Sequence, residues 1–101
     1  MPYYTYILQS EKTGRLYIGQ TRDVSKRITE HNAGLSRSTR GYIPWKLLHY
    51  EELNNRHEAM KLEHKLKKWK SKIRVLEWID RQLGESVENQ LVERRPDETS
   101  G

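Results

Sequence analysis

The chain contains no cysteine among its 101 residues. That excludes disulfides, thiolate zinc sites and cysteine nucleophiles. Long apolar runs are also missing, and no segment approaches the roughly 20 residues that span a bilayer. The opening run Met-Pro-Tyr-Tyr-Thr-Tyr-Ile-Leu lacks the basic flank and long apolar stretch of a secretory signal. The expectation is a cytoplasmic protein that does not enter a membrane. Apolar residues are scarce at 34%, barely outnumbering the charged ones at 33%. The core must therefore be small, and a second independent core does not fit.

Positive charge, by contrast, is in excess: 19 Lys+Arg against 14 Asp+Glu. It is unevenly spread. Residues 85–101 carry five acids against Arg94 and Arg95, so the net +5 of the chain becomes +8 over residues 1–84. A small basic domain most often meets a polyanion. Residues 1–84 read as the folded unit, and 85–101 as an acidic, disordered tail.

The pattern predicts an α+β domain in the order ββαβαα, with a small three-stranded antiparallel sheet flanked by helices. Aromatic and β-branched residues 3–10 form a first strand. Glu11–Gly14 form a turn and residues 15–21 a second strand. A fold about Lys12-Thr13 sets Tyr6 opposite Tyr17. Asp23 caps a helix from Val24 to about Ala33, and Gly34 ends it. Residues 45–51 form a third strand. Asn55 and Glu58 suit a capping box before a helix that buries Ala59, Leu62, Leu66 and Trp69. Ser71 starts a third helix carrying Ile73, Leu76, Ile79 and Leu83, stopped by Gly84.

Several residues ask for more than a structural account. All six tyrosines fall within the first 50 residues. Tyrosine is a good strand former, which is one explanation. The other is a polar, concave spot made by Tyr6, Tyr17 and Gly19, because glycine inside a strand often marks a close approach. Arg27 and His31 are four apart and share a helix face. They are either a solvated pair or a phosphate site, for which arginine offers a planar fork of donors. Glu63 borders an apolar stripe, where a carboxylate is costly unless paired or bound to a cation. Its alternatives are an ion pair with Lys67 and a metal site. Lys61, Lys65, Lys67, Lys68, Lys70, Lys72 and Arg74 make residues 61–74 dense enough in charge to bind nucleic acid. His49, His57 and His64 show no metal-ligand spacing, and the glycines form no phosphate or dinucleotide fingerprint.

Taken in order, these residues resemble a known family. Tyr4-Thr-Tyr6-Ile-Leu, Leu16-Tyr17-Ile18-Gly19-Gln-Thr and Asp23-x-x-Lys-Arg27-x-x-x-His31-Asn32-x-Gly34 look like the GIY-YIG nuclease domain. The downstream run Thr39…Pro44-Trp45-Lys-Leu-Leu…Glu51…Glu58-Ala59-x-x-x-Glu63-x-x-Leu66-Lys67-x-Trp69 is similar to its small stand-alone bacterial members, related to the N-terminal domain of the excinuclease C subunit. The likeness covers about residues 3–80. Its first tripeptide departs from the namesake, reading Tyr4-Thr5-Tyr6 in place of Gly-Ile-Tyr.

The resemblance implies an endonuclease that hydrolyses phosphodiester bonds in DNA, in repair, recombination or defence against foreign DNA. It implies that Tyr6 and Tyr17 position or deprotonate water, and that Arg27 binds the scissile phosphate. His31 would assist at that phosphate or in proton transfer. Glu63 would hold one divalent metal, Mg²⁺ or alternatively Mn²⁺. Gly19 and Asn32 would support the site, and Lys65, Lys67, Lys68, Lys70 and Lys72 would bind nucleic acid, DNA before RNA. A tyrosine base, with an ordinary pKa near 10, would need that pKa lowered by Arg27 or the metal. The rival readings are a non-catalytic nucleic-acid-binding module and a nuclease subunit that needs a protein partner to select substrate.

Overall fold

A computed structural model describes the backbone of residues 1–91 and the side chains of residues 1–84. Two strands, β1 (Tyr3–Ser10) and β2 (Leu16–Thr21), lead into helix α1 (Val24–Asn32). A short 3₁₀ turn (Arg40–Tyr42) and strand β3 (Trp45–Leu53) follow, then helices α2 (Arg56–Lys68) and α3 (Lys72–Leu91). The sheet order is β2-β1-β3, antiparallel throughout. This is the α+β architecture that the sequence pattern predicts. The chain divides into two compact units at Lys70/Ser71.

Local chemistry sets the element boundaries. Asp23 accepts a hydrogen bond from the Lys26 N–H at 3.0 Å, and Asn55 accepts from the Glu58 N–H at 2.9 Å. Each fills an orphan donor of a first helical turn. Gly34 takes φ +80 just beyond α1, a torsion that glycine adopts without a Cβ clash. Ser71 Oγ accepts from the Arg74 N–H at the start of α3.

Alternation along β1 divides the first unit into two layers around the sheet. Tyr6 and Leu8 pack with Trp45, Tyr17, Ile28, Tyr42 and Ile43 on the α1 side. Thr5 faces the other way, and its hydroxyl donates to the Ala59 carbonyl of α2 at 2.7 Å. In α2, Ala59 and Leu66 are the buried positions.

Three expectations need correction. The hairpin pairs Tyr6 with Gly19 and Leu8 with Tyr17, so Tyr6 and Tyr17 are diagonal neighbours and not opposite one another. The turn spans residues 11–15, closed by Ser10 N–H to Arg15 O at 2.8 Å. On α3 the buried residues are Val75, Trp78 and Ile79, while Ile73 is 67% exposed and Leu83 is also exposed. Finally, α3 runs through Gly84 to Leu91, because a glycine in a helix interior is a cost of about 1 kcal/mol and not a stop. The rest of the segment read as a tail, residues 92–101, lies outside the described residues.

Candidate active site

Tyr6 sits at the centre of the sheet with glycine beside it for a steric reason. A Cβ on Gly19 would lie 2.6 Å from the Tyr6 hydroxyl and 2.7 Å from its Cζ. No side chain fits there while the tyrosine ring crosses β2. The ring therefore lies flat against a bare stretch of strand, and its hydroxyl reaches toward α1.

There it meets His31. The Tyr6 hydroxyl and His31 Nε2 are 3.0 Å apart, and His31 Nδ1 is 2.8 Å from Thr39 Oγ1. The Thr39 hydroxyl has the Ser36 carbonyl as an acceptor at 3.4 Å. That arrangement assigns the imidazole proton to Nδ1, donating to Thr39, and leaves Nε2 to accept from Tyr6. Tyr6, His31 and Thr39 are all buried. Thr39 is itself fixed, since its carbonyl accepts from the Trp45 indole at 2.9 Å.

Burial governs the protonation of this chain of groups. Desolvation pushes the Tyr6 pKa up to about 12, against hydrogen bonding with Arg27 that pulls it down. Arg27 alone does not supply the lowering that a tyrosine base would need: removing water from the phenolate outweighs the nearby guanidinium. Desolvation also holds the His31 pKa below its ordinary value, with the Arg27 charge adding to it. The resting pair is a neutral phenol facing a neutral imidazole.

Arg27 and His31 project from one helix face, as their spacing predicts, but they do different things. His31 has both ring nitrogens engaged, by Tyr6 at 3.0 Å and by Thr39 at 2.8 Å, which leaves neither for a phosphate. Arg27 is partly exposed, pairs with Glu30 at 2.9 Å and hydrogen-bonds toward Tyr6, and both partners raise its pKa. It borders an open cleft with Lys26, Arg22 and Thr21. Tyr17 completes the cluster, its ring 5.0 Å from His31 and 6.3 Å from Tyr6.

Glu63 lies near enough for its charge to help raise the Tyr6 pKa. Its side chain is only 13% exposed, and one oxygen meets Lys67 Nζ at 2.6 Å, while Lys67 is 50% exposed. The ion pair considered from sequence thus exists, on a carboxylate more buried than a solvated helix charge. Lys67 also borders a cleft with Tyr17, Thr39, Trp45 and Arg15.

The remaining sequence-predicted residues of the first unit separate from this cluster. Asn32 is spent on β3: its Nδ2 donates to the Trp45 carbonyl at 3.0 Å and its Oδ1 accepts from the Trp45 N–H at 2.6 Å. Lys65 and Lys68 join Lys61, His64 and Trp69 around another surface hollow. By helical geometry they lie opposite buried Ala59 and Leu66. Lys70 takes a positive φ at the end of the first unit, and Lys72 begins α3. Of the four predicted lysines in the first unit, Lys67 is the one that borders the tyrosine cluster. Thr39 belongs to the run that carries the family resemblance but is given no role by it, because a lone threonine in a polar loop carries no periodic signal.

The sheet is thus crossed by a buried tyrosine hydrogen-bonded to His31, with the charges of Arg27 and Glu63 near enough to act on it, in a small α+β domain. Residues 2–76 match the GIY-YIG catalytic domain, and the chain belongs to that nuclease family. A UPF0213 protein of Haloquadratum walsbyi is 40% identical over 68 residues, spanning 66% of this chain and 75% of that one. A UPF0213 protein of Streptococcus agalactiae serotype V is 42% identical, over 62% and 72% of the two chains. The solution NMR structure of a UPF0213 protein from Bacillus halodurans is 32% identical with a TM-score of 0.51, covering 78% of this chain and 83% of that one. The names of these relatives describe no activity. Among the described residues, no helix is long and apolar enough to cross a membrane.

Proposed function

We propose that this protein is an endonuclease that hydrolyses phosphodiester bonds in DNA, with Tyr6 as the group that takes the proton of the attacking water. The observation that carries this reading is the Tyr6 hydroxyl, held between a neutral His31 and the Arg27 guanidinium. A phenol with a pKa near 12 is a poor base alone. It becomes competent when its own proton leaves for His31 Nε2 as it accepts one from water. His31 then carries the positive charge, with its Nδ1–H still on Thr39. Arg27 faces the incoming phosphate and stabilises charge developing on its non-bridging oxygens. Tyr17 orients the water or the phosphate from the other side. His31 thus acts through proton transfer, the one of its two implied roles that its hydrogen bonds to Tyr6 and Thr39 leave open.

The family also implies a divalent cation. Glu63 fits one: it is a hard oxygen donor that already attracts a cation, the displaceable ammonium of Lys67. No group of three His, Asp or Glu residues gathers as a metal cluster among the described residues. A single carboxylate suits Mg²⁺, which keeps most of its waters and takes further ligands from substrate phosphate. Glu63 would hold that ion, whose charge would neutralise the phosphate and the departing oxygen.

The test is a panel of nicked, branched, single- and double-stranded DNA and RNA, incubated with Mg²⁺, Mn²⁺ or EDTA. Metal-dependent cleavage of DNA supports the reading. Tight binding with no cleavage of any substrate in either metal sinks it in favour of a non-catalytic module. Cleavage that needs an added cell fraction points to a partner-dependent subunit. A place in repair, recombination or defence follows from which DNA structure is cut.

A further inference from the structure

A further cleft, about 310 Å³, opens on the same sheet face between α1 and β3. Tyr4, Val24, Ile28, Leu47 and Tyr50 line it, with Arg22 at its rim. Its walls owe their arrangement to an irregularity in β3. The register jumps between Ile7–His49 and Leu8–Leu47, leaving Leu48 as an extra residue. Plain alternation would send Leu47 and Tyr50 to opposite faces. The bulge puts both on the face of Tyr4 and Tyr6, and re-aiming a side chain is what bulges do next to functional sites. The result is costly for a purely structural strand, since Tyr50 is 51% exposed and Leu47 is 37% exposed.

Tyr50 pairs with Tyr6 across β1 and β3, so the cleft adjoins the candidate active site. The Tyr4 and Tyr50 rings meet edge to face, 5.9 Å apart at 72°. Arg22 and Asp23 line both this cleft and the one that holds Lys26 and Arg27. Asp23 is engaged as the cap of α1 through Oδ1. A strand whose phosphate meets Arg27 therefore finds another cation at Arg22 and then a hollow walled by Val24, Ile28, Leu47 and a half-exposed phenol ring. That sequence of cationic rim and aromatic wall matches a nucleotide: phosphate outside, base inside. A base within a duplex is stacked and paired and cannot enter such a hollow.

We propose that this cleft receives one unpaired base of the strand whose phosphate sits at Arg27. The preferred substrate is then DNA with an unpaired nucleotide next to the scissile bond, such as an overhang or flap, before an uninterrupted duplex. This inference rests on the nuclease reading of the same face.

The experiment measures binding in EDTA, so that cleavage plays no part. A blunt duplex is compared with the same duplex bearing a single-stranded overhang, with 2-aminopurine as its first unpaired base. Wild-type protein should bind the overhang more tightly and quench the 2-aminopurine. Tyr50→Ala should lose roughly 5- to 100-fold of overhang affinity while blunt-duplex affinity holds. Tyr50→Phe should retain both. Leu47→Asp, in the same cleft, should repeat the selective loss, and thermal melts should show all variants folded. Equal loss on both substrates, or no overhang preference and no quenching in the wild type, overturns the proposal. A wild type that quenches and prefers overhangs but never cuts keeps the base site and removes the nuclease. Cleavage that continues unchanged in Tyr50→Ala on every substrate keeps the nuclease and removes the base site.

Discussion

The tyrosine cluster and the outer face of α2 are both rich in polar groups, yet they are organised on opposite principles. At the cluster, Tyr6, His31 and Thr39 are buried, joined by hydrogen bonds of 3.0 and 2.8 Å, and each is held by a partner behind it. On α2, Lys61, Lys65 and Lys68 are exposed and differ little from one another in setting. The first region has geometry and almost no net charge, and the second has charge and almost no geometry. Proton transfer requires the former, because it depends on distances set to tenths of an ångström. Non-specific attraction to a polyanion requires only the latter. Density of charge in sequence thus points to a surface of the second kind and is silent on the first.

The strongest way to break this contrast is Glu63→Gln. If the carboxylate holds the metal, Mg²⁺-dependent cleavage should fall below detection, because a neutral amide is a weak ligand for a hard cation. Metal-free DNA binding should persist or tighten, since Lys67 is released from its 2.6 Å pair. Cleavage at wild-type level by this variant sinks the metal assignment. Tyr6→Phe comes next: it keeps the ring and removes the hydroxyl, so the rate should drop about 10²–10⁴-fold with folding and binding retained. A silent Phe variant would make Tyr6 a packing residue. Gly19→Ala should approach that loss by a different route, pushing the ring off its place and destabilising the fold by about 1–3 kcal/mol; urea titration and initial rates together measure both effects.

Acidity offers a finer probe. His31 has a folded-state pKa below its ordinary value of about 6.5. The unfolded chain therefore takes up the proton first, so the stability that His31 contributes is full above that value and is lost as pH falls below it. Cleavage should decline over the same range, because an imidazolium cannot accept the Tyr6 proton. Rates that rise on acidification through this window would reverse the proposed direction of transfer. The smallest effect is expected from replacing Lys61, Lys65 and Lys68 together by Gln. The log–log salt dependence of binding should weaken by up to about 0.9 in slope for each phosphate that these lysines neutralise, with the rate at saturating DNA unchanged. A large drop in that saturated rate would mean that charge and geometry are not separate here.

How much of this was legible in the sequence follows the same division. Helix starts were readable because Asp23 and Asn55 act through bonds within four residues. The α+β order was readable from period and turn residues, and the family motif brought Tyr6, Tyr17, Arg27, His31 and Glu63 to one region. The hairpin register was not, because it depends on a five-residue turn closed through Ser10. Nor was the buried face of α3, where Val75, Trp78 and Ile79 go inside and Ile73 does not; hydrophobicity alone ranks all four alike. The direction of the Tyr6 pKa was not legible for a related reason. Proximity of Arg27 is visible in a helical spacing, but the desolvation that outweighs it depends on everything packed around the ring.

The close approach of Gly19 to Tyr6 has a consequence for how this protein can mutate. Gly19 is constrained by space and not by torsion, as its φ lies outside the left-handed region. Its intolerance is therefore conditional on the tyrosine. In a chain where position 6 carries a small residue, alanine at 19 should become nearly harmless, whereas beside Tyr6 it is damaging. The two positions would show strong epistasis. A lineage that lost the tyrosine would be released to lose the glycine, but one that lost the glycine first would have no easy route back to the packed Tyr6–Gly19 pair.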